Sequence, residues 1–150
     1  MLFHRSIDIK ISSTRQGEFD IQTTLRDMYH DILLSLTVSL PDYRVANASV
    51  EMKKTPHQNC KAVYPLLATM VGKEVGPGFT KEVISALGGS AGCPNMVNLI
   101  LLSAPLAINA AAVRKQQKEN LTDDEMDAMW QDVLAGVCIS YPSKKEGESA

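Results

Sequence analysis

Apolar and polar positions alternate through the first third of the chain. Ile7, Ile9 and Ile11 share one side of a predicted strand, and a polar turn follows over residues 12–17. Three more alternating runs come next, with one side formed by Phe19, Ile21, Thr23 and Leu25, then by Ile32, Leu34, Leu36, Val38 and Leu40, then by Ala46, Ala48, Val50 and Met52. Such alternation is typical of strands with one buried face. Because the connections are short, the pattern predicts a four-stranded antiparallel meander.

The spacing of apolar residues becomes helical after the fourth run. Thr55 is predicted to cap a first helix with Pro56 at its first position, and Gly72 is predicted to end it. The apolar stripe of that helix is Val63, Leu66, Leu67 and Met70. A short helix is predicted over residues 80–87, before Gly88-Gly89.

A long apolar helix is predicted to begin at Cys93-Pro94, to run to about Lys118 and to be kinked at Pro105. A last helix begins with the capping box Thr122 to Glu125. Its stripe is Met126, Met129, Trp130, Val133, Leu134 and Val137, which we interpret as packing against the body or a second subunit.

Strands followed by helices, without β-α-β alternation, predict an α+β fold with three to four helices packed on one face of the sheet. We expect a core domain over residues 1–118, a C-terminal amphipathic helix over 119–142 and a disordered tail over 143–150.

The charge of the chain is nearly balanced. Fifteen Lys and Arg stand against 17 Asp and Glu, for a formal charge of −2, which argues against nucleic acid as a partner. The chain has three cysteines, a small and odd number that argues against a disulfide framework. The N-terminus shows no signal-peptide pattern. We therefore expect a cytoplasmic protein.

No charged residue occurs between Gly88 and Val113. Asn98, Ser103 and Pro105 interrupt this segment, which favours a long buried helix at a homodimer interface over a membrane span. The expected partner is thus a second copy bound through an apolar helix, with no membrane span.

Cys60 and Cys93 each lie near a predicted helix start. Free N–H groups and the helix dipole stabilise a thiolate there, which is the form that attacks electrophiles and binds metals. With His57 and His30, the two cysteines form a soft nitrogen and sulfur ligand set suited to zinc, iron or an iron–sulfur cluster. Asp31 or Asp27, at a strand end, is predicted to bind the metal or orient a histidine.

The same cysteines have an ordinary structural interpretation. His-x-x-Cys, formed by His57 and Cys60, is a weak signal beside paired Cys-x-x-Cys, and cysteine often fills a core as a small apolar residue. For Cys138 we favour this structural role. Lys53, Lys54 and Lys61 lie near Cys60 in the sequence and favour its thiolate.

The loop before the long helix is a second candidate site. Gly89, Ser90, Gly92 and Asn95 are predicted to bind an anionic cofactor group through backbone N–H groups at the helix start. A glycine pair after a helix is more often a C-cap alone. His4 and Arg5, ahead of the first strand, are interpreted as solubilising an edge strand.

Several motifs together resemble a bacterial family of small proteins known as domain of unknown function 2889. They are His4-Arg5, Leu25-Arg26-Asp27, His30-Asp31, Pro56 with Cys60, Val75-Gly76-Pro77-Gly78-Phe79, Leu87-Gly88-Gly89 and Gly92-Cys93, over about residues 4–112. The resemblance implies a bacterial cytoplasmic protein and no established activity. Asn95 stands where that family usually has histidine.

The order of strands, helices and cysteines also resembles, more weakly, iron–sulfur scaffold proteins of the IscU type. Three hypotheses follow. The first is a protein that binds a metal or iron–sulfur species through Cys60 and Cys93. The second is a non-catalytic dimeric domain that binds a small molecule or a partner. The third is a cysteine-dependent redox protein or enzyme.

Overall fold

The computed structural model describes residues 1–143, and residues 6–54 form one antiparallel sheet. The strands are β1 (Ser6–Ser13), β2 (Phe19–Arg26), β3 (Asp31–Val38) and β4 (Val45–Lys54), in the spatial order β1-β2-β3-β4. Each strand pairs with its sequence neighbour. The predicted four-stranded meander and the α+β class are confirmed.

One face of this sheet carries the core. The predicted apolar positions of β2 and β3 are almost fully buried, from Phe19 at 2% exposure to Leu34 at 0%. Helical residues on the same core include Leu67, Met70, Leu87, Met96, Leu99 and Ile100, all at 1% exposure or less. The alternation therefore identified the buried side of β2 and β3 correctly, because the side-chain period of a strand is two. At the start of β4, where the pairing with β3 shifts register, Val45 is buried at 1% and the predicted Ala46 is exposed.

The first helical segment differs from its prediction. It is a 3-10 helix over Gln58–Met70, and its N-cap is His57 rather than Thr55. The ring of His57 accepts a hydrogen bond from the backbone N–H of Asn59 at 3.1 Å. Pro65 lies inside the segment and has no N–H to donate, which removes one α-helical hydrogen bond. Val63, Leu67 and Met70 are buried as predicted.

The remaining helices follow the predicted boundaries closely. They are α1 (Phe79–Leu87), α2 (Pro94–Ser103), α3 (Leu106–Glu119) and α4 (Asp123–Leu134). The long apolar helix is interrupted at Ala104-Pro105, as expected from a proline without an N–H. The capping box of Thr122 and Glu125 is formed, although no residue of α4 is fully buried.

Among the described residues, one helical stretch is long and apolar enough to cross a membrane, judged by length and composition. It covers Pro94–Glu119, which includes α2 and α3, and 39% of its most apolar window is buried. Buried helices of soluble proteins pass the same criterion.

The chain divides into two compact units. The first is Met1–Ala110, which holds the sheet, the 3-10 helix, α1 and α2. The second begins at Ala111 and contains α4 and a small turn in which Cys138 pairs with Tyr141. Most of the predicted disordered tail, residues 144–150, lies outside the described residues.

Candidate functional site

The turn between β2 and β3 is built around the carboxylate of Asp27. Its Oδ1 accepts hydrogen bonds from the backbone N–H groups of Tyr29 at 2.7 Å and of His30 at 2.8 Å. The Nδ1 of His30 lies 3.0 Å from the same oxygen. The carboxylate thus fixes both the turn and the plane of the imidazole. Asp27, rather than Asp31, is therefore the strand-end carboxylate that contacts His30.

Arg5 approaches Asp27 from the segment before β1. Because Ser6 pairs with Arg26 in the sheet, Arg5 comes opposite Asp27. Its Nε and Nη2 lie 2.8 and 2.7 Å from Oδ2 of Asp27. The side chain of Asp27 has no exposed surface, whereas that of Arg5 is 33% exposed. The interpretation of Arg5 as a solubilising residue was therefore wrong, since it neutralises a buried carboxylate.

Asn95, in the first turn of α2, completes the group. Its Oδ1 accepts from Nη1 of Arg5 at 3.2 Å, and its Nδ2 lies 3.3 Å from Nε2 of His30. These two contacts set the orientation of the amide, with Nδ2–H donating to the ring. We call Arg5, Asp27, His30 and Asn95 the Asp27 cluster. It joins the segment before β1, the β2–β3 turn and α2 within the first compact unit.

Two opposing effects act on the pKa of Asp27. Burial raises the pKa of this carboxyl, but hydrogen bonds from Tyr29, His30 and Arg5 favour the charged form and together outweigh it. The pKa therefore lies well below its ordinary value of 3.8. Asp27 is a carboxylate throughout the physiological range, so it compensates the charge of Arg5 at every pH near neutrality.

An apolar groove opens beside the Asp27 cluster. Its volume is about 360 Å³, and it is lined by Arg5, Ile7, Leu25, Asn95, Asn98, Leu99, Leu101 and Leu102. Ile7 and Leu102 are 39% and 51% exposed, so apolar surface stands open to solvent there. Concave sites with mainly apolar walls and a few convergent polar groups are typical of small-molecule sites.

The polar end of the groove presents donors. Three of the five N–H groups of Arg5 are used within the cluster, and one of the two amide N–H groups of Asn95 is used by His30. Two N–H groups of Arg5 and one of Asn95 therefore have no hydrogen-bond partner among residues 1–143, while the Arg5 guanidinium also lies over the ring of Phe3, 5.7 Å from its centroid. These donors match a ligand oxygen rather than a ligand donor.

The sequence-predicted metal ligands do not form one group. Within residues 1–143, no three His, Cys, Asp or Glu side chains are placed to hold a metal ion. His30 belongs to the Asp27 cluster, His57 caps the 3-10 helix, and Asp31 pairs with Arg26 at 3.4 Å. Cys60 and Cys93 are both free and half-buried, and Cys93 is the N-cap of α2.

The glycine loop is held by its own backbone. Gly92 N–H donates to Gly89 at 3.1 Å, and Cys93 N–H donates to Leu87 at 2.8 Å. One donor of the predicted anion site, Gly92 N–H, and the adjacent N–H of Cys93 are thereby occupied, which is typical of a helix C-cap. Of the predicted cofactor-binding residues, Asn95 lies in the cluster, whereas Gly89, Ser90 and Gly92 belong to this loop.

The three lysines near Cys60 in sequence form a surface feature of their own. Lys53, Lys54 and Lys61 line a hollow of about 520 Å³. The other lining residues are Met52, Thr55 and Gln58. Cys60 is not among them, so the hollow exposes basic side chains without exposing the thiol.

Comparison with protein families identifies the chain. The family described as protein of unknown function (DUF2889) matches residues 3–109, and the chain belongs to this family. The match covers the sheet, the 3-10 helix, α1, α2 and every residue of the Asp27 cluster. Searches of the curated proteins and of the solved structures gave no match, so the layout similarity to IscU-type scaffolds has no support from them.

Proposed function

We propose that this domain binds a small, mainly apolar molecule that carries a carboxylate or carbonyl oxygen. The observation that carries the proposal is the juxtaposition of unpaired N–H donors of Arg5 and Asn95 with an apolar groove of about 360 Å³. The apolar body of the ligand would lie along Ile7, Leu99 and Leu102, with its oxygen at the donors.

Rigidity of the donors supports this proposal. Arg5 is held by two contacts to a fully buried carboxylate, and Asn95 is held by Arg5 and His30 at once. Side chains fixed before binding lose little conformational entropy when a ligand arrives, which favours affinity. Since Asp27 already balances the charge of Arg5, neutral carbonyl compounds and carboxylates both fit.

The first test compares three small probes that share an eight-carbon chain and differ in their head groups. Octanoate and octanamide present oxygen acceptors, whereas octylammonium presents donors only. Titrations of ¹⁵N-labelled protein should shift the amides of Ile7, Asn95, Leu99 and Leu102 with octanoate or octanamide. We expect octylammonium to bind at least about tenfold more weakly, because donors would then face donors. Equal binding of all three probes contradicts the proposal.

The second test changes the donor and leaves the groove intact. Asn95→Asp has nearly the same shape, but it removes the free N–H and adds a negative charge, so octanoate binding should fall by about tenfold or more. The matched control is Asn109→Asp, at an exposed position of α3 that does not line the groove. Unchanged octanoate affinity in Asn95→Asp refutes the assignment, provided that the variant melts cooperatively.

Metal binding through Cys60 and Cys93 is a second candidate. It is supported by two free, half-buried thiols, one at the N-cap of α2 and one near the N-terminus of the 3-10 helix. If it is right, anaerobically purified protein holds zinc or iron, and Cys60→Ser or Cys93→Ser lowers the metal content while the control Cys138→Ser does not. A substoichiometric metal content that neither cysteine substitution changes would eliminate this candidate.

A further inference from the structure

The two edges of the sheet differ in how they are covered. The β4 edge is met by the segment after the 3-10 helix, since Val45 N–H donates to Lys73 and Gly72 N–H donates to Val45. β1 pairs with β2 on one side, and among the described residues no strand pairs with its other side. Every second residue of β1 therefore directs its N–H and C=O groups away from the sheet.

The uncovered edge also carries apolar side chains. In the register of the sheet, Ile7, Ile9 and Ile11 face Leu25, Thr23 and Ile21, so they lie on the buried face. Their neighbours on β2 are at most 1% exposed, whereas Ile7 is 39% exposed and the other two isoleucines are half-buried. The core thus ends at β2, and an apolar strip continues past it onto β1.

We propose that β1 pairs with β1 of a second copy of this chain, in an antiparallel register centred on Ile9. The segment Ser6–Ser12 reads Ser-Ile-Asp-Ile-Lys-Ile-Ser, so this register sets Asp8 opposite Lys10 of the partner subunit and Lys10 opposite the partner's Asp8. Opposite charges directly across two strands stabilise the pair. The isoleucines meet one another on the other face.

Charge selects this register over its neighbours. Moving the centre by one residue to Asp8 sets two aspartates opposite each other, and moving it to Lys10 sets two lysines opposite each other. Only the register centred on Ile9 sets each charged residue opposite one of opposite charge and each isoleucine opposite an isoleucine of the partner subunit. The arrangement is isologous and closes as a two-fold dimer with an eight-stranded sheet. It also brings the partner's Ile11 beside Ile7, at the wall of the groove.

The proposal does not depend on the ligand site, and its test uses charge reversal. Asp8 and Lys10 are exposed, at 65% and 77%, so their substitution leaves the core untouched. Sedimentation velocity should show a dimer for the unaltered chain. Asp8→Lys alone and Lys10→Asp alone should each raise the dimer dissociation constant by about tenfold, because two attractive pairs become repulsive. The double variant Asp8→Lys/Lys10→Asp restores opposite charges and should restore the dimer.

Two outcomes overturn the proposal. One is a monomer at about 100 µM, well above the dissociation constants of specific dimers. The other is a dimer that both single charge reversals leave intact but that Leu102→Lys dissociates. That result would assign the interface to the apolar helix instead, as the uncharged sequence of that helix predicts.

Discussion

Replacing Asp27 by Asn tests whether the Asp27 cluster holds the fold as its geometry indicates. The amide oxygen can still accept from Tyr29 and His30, but an NH₂ group then faces Nε and Nη2 of Arg5, which lie 2.8 and 2.7 Å from the present oxygen. The substitution therefore removes an ion pair and sets donors against donors at a fully buried position.

The expected loss is about 3 kcal/mol of unfolding free energy. Removing one partner of a buried ion pair typically costs about 3–5 kcal/mol. We take the lower end because Arg5 is 33% exposed and can turn toward water. The matched control is Asp42→Asn, since Asp42 is 52% exposed and lies 3.4 Å from Arg44. A surface pair of that kind contributes about 0.5 kcal/mol.

Urea unfolding measured at several pH values provides the assay. The folded-state pKa of Asp27 is depressed, so its stabilisation is complete above its ordinary pKa of 3.8 and is lost as the pH falls below that value. The free energy of unfolding should differ most between the unaltered chain and Asp27→Asn at pH 7. This difference should become smaller as the pH falls below 3.8. A difference at pH 7 no larger than that of Asp42→Asn, or one that is unchanged in acid, would refute this reasoning.

Two further substitutions test the local geometry. Gly92→Ala should cost about 3 kcal/mol or more, because its Cβ would lie 1.9 Å from the carbonyl oxygen of Leu87, whereas Gly76→Ala, with open space around it, should change the thermal unfolding midpoint little. Similar midpoints for both variants would contradict the tight turn. Thr122→Ala should cost about 1 kcal/mol of local stability and speed amide exchange in Asp123–Leu134 about fivefold. The pKa of Glu125 is lowered first by the backbone N–H of Thr122 and then by its hydroxyl, so the cap should weaken below pH 4.5 in the unaltered chain. The variant keeps the backbone N–H and loses the hydroxyl, so its pH dependence should be smaller.

The sheet could be predicted because its information is local. Alternation places Ile32, Leu34 and Leu36 on one face wherever the strand lies, and short turns leave antiparallel pairing as the simple arrangement. The type and the start of the first helical segment were harder to predict. Pro65 removes a hydrogen bond from a segment whose apolar spacing is that of an α-helix, and His57 is an uncommon N-cap residue.

Some contacts of the Asp27 cluster could likewise be predicted from local sequence, and others could not. The Asp27–His30 contact lies within one turn, and the meander register sets Arg5 opposite Asp27, so the sequence contained a signal for Arg5 that its position at a strand edge obscured. Asn95 reaches His30 across 65 positions of sequence. That contact depends on how α2 packs against the sheet, which no local pattern specifies.

Arg5 lies one residue ahead of the first strand, and this placement matters for anyone who trims the protein. A shortened version beginning at Ser6 would preserve every element of regular secondary structure, yet it would strip the counter-ion from a carboxylate that has no contact with solvent. Tags and proteolytic cleavage sites should therefore be placed ahead of Arg5, so that its guanidinium is retained. The residues before the sheet contribute to the stability of the fold.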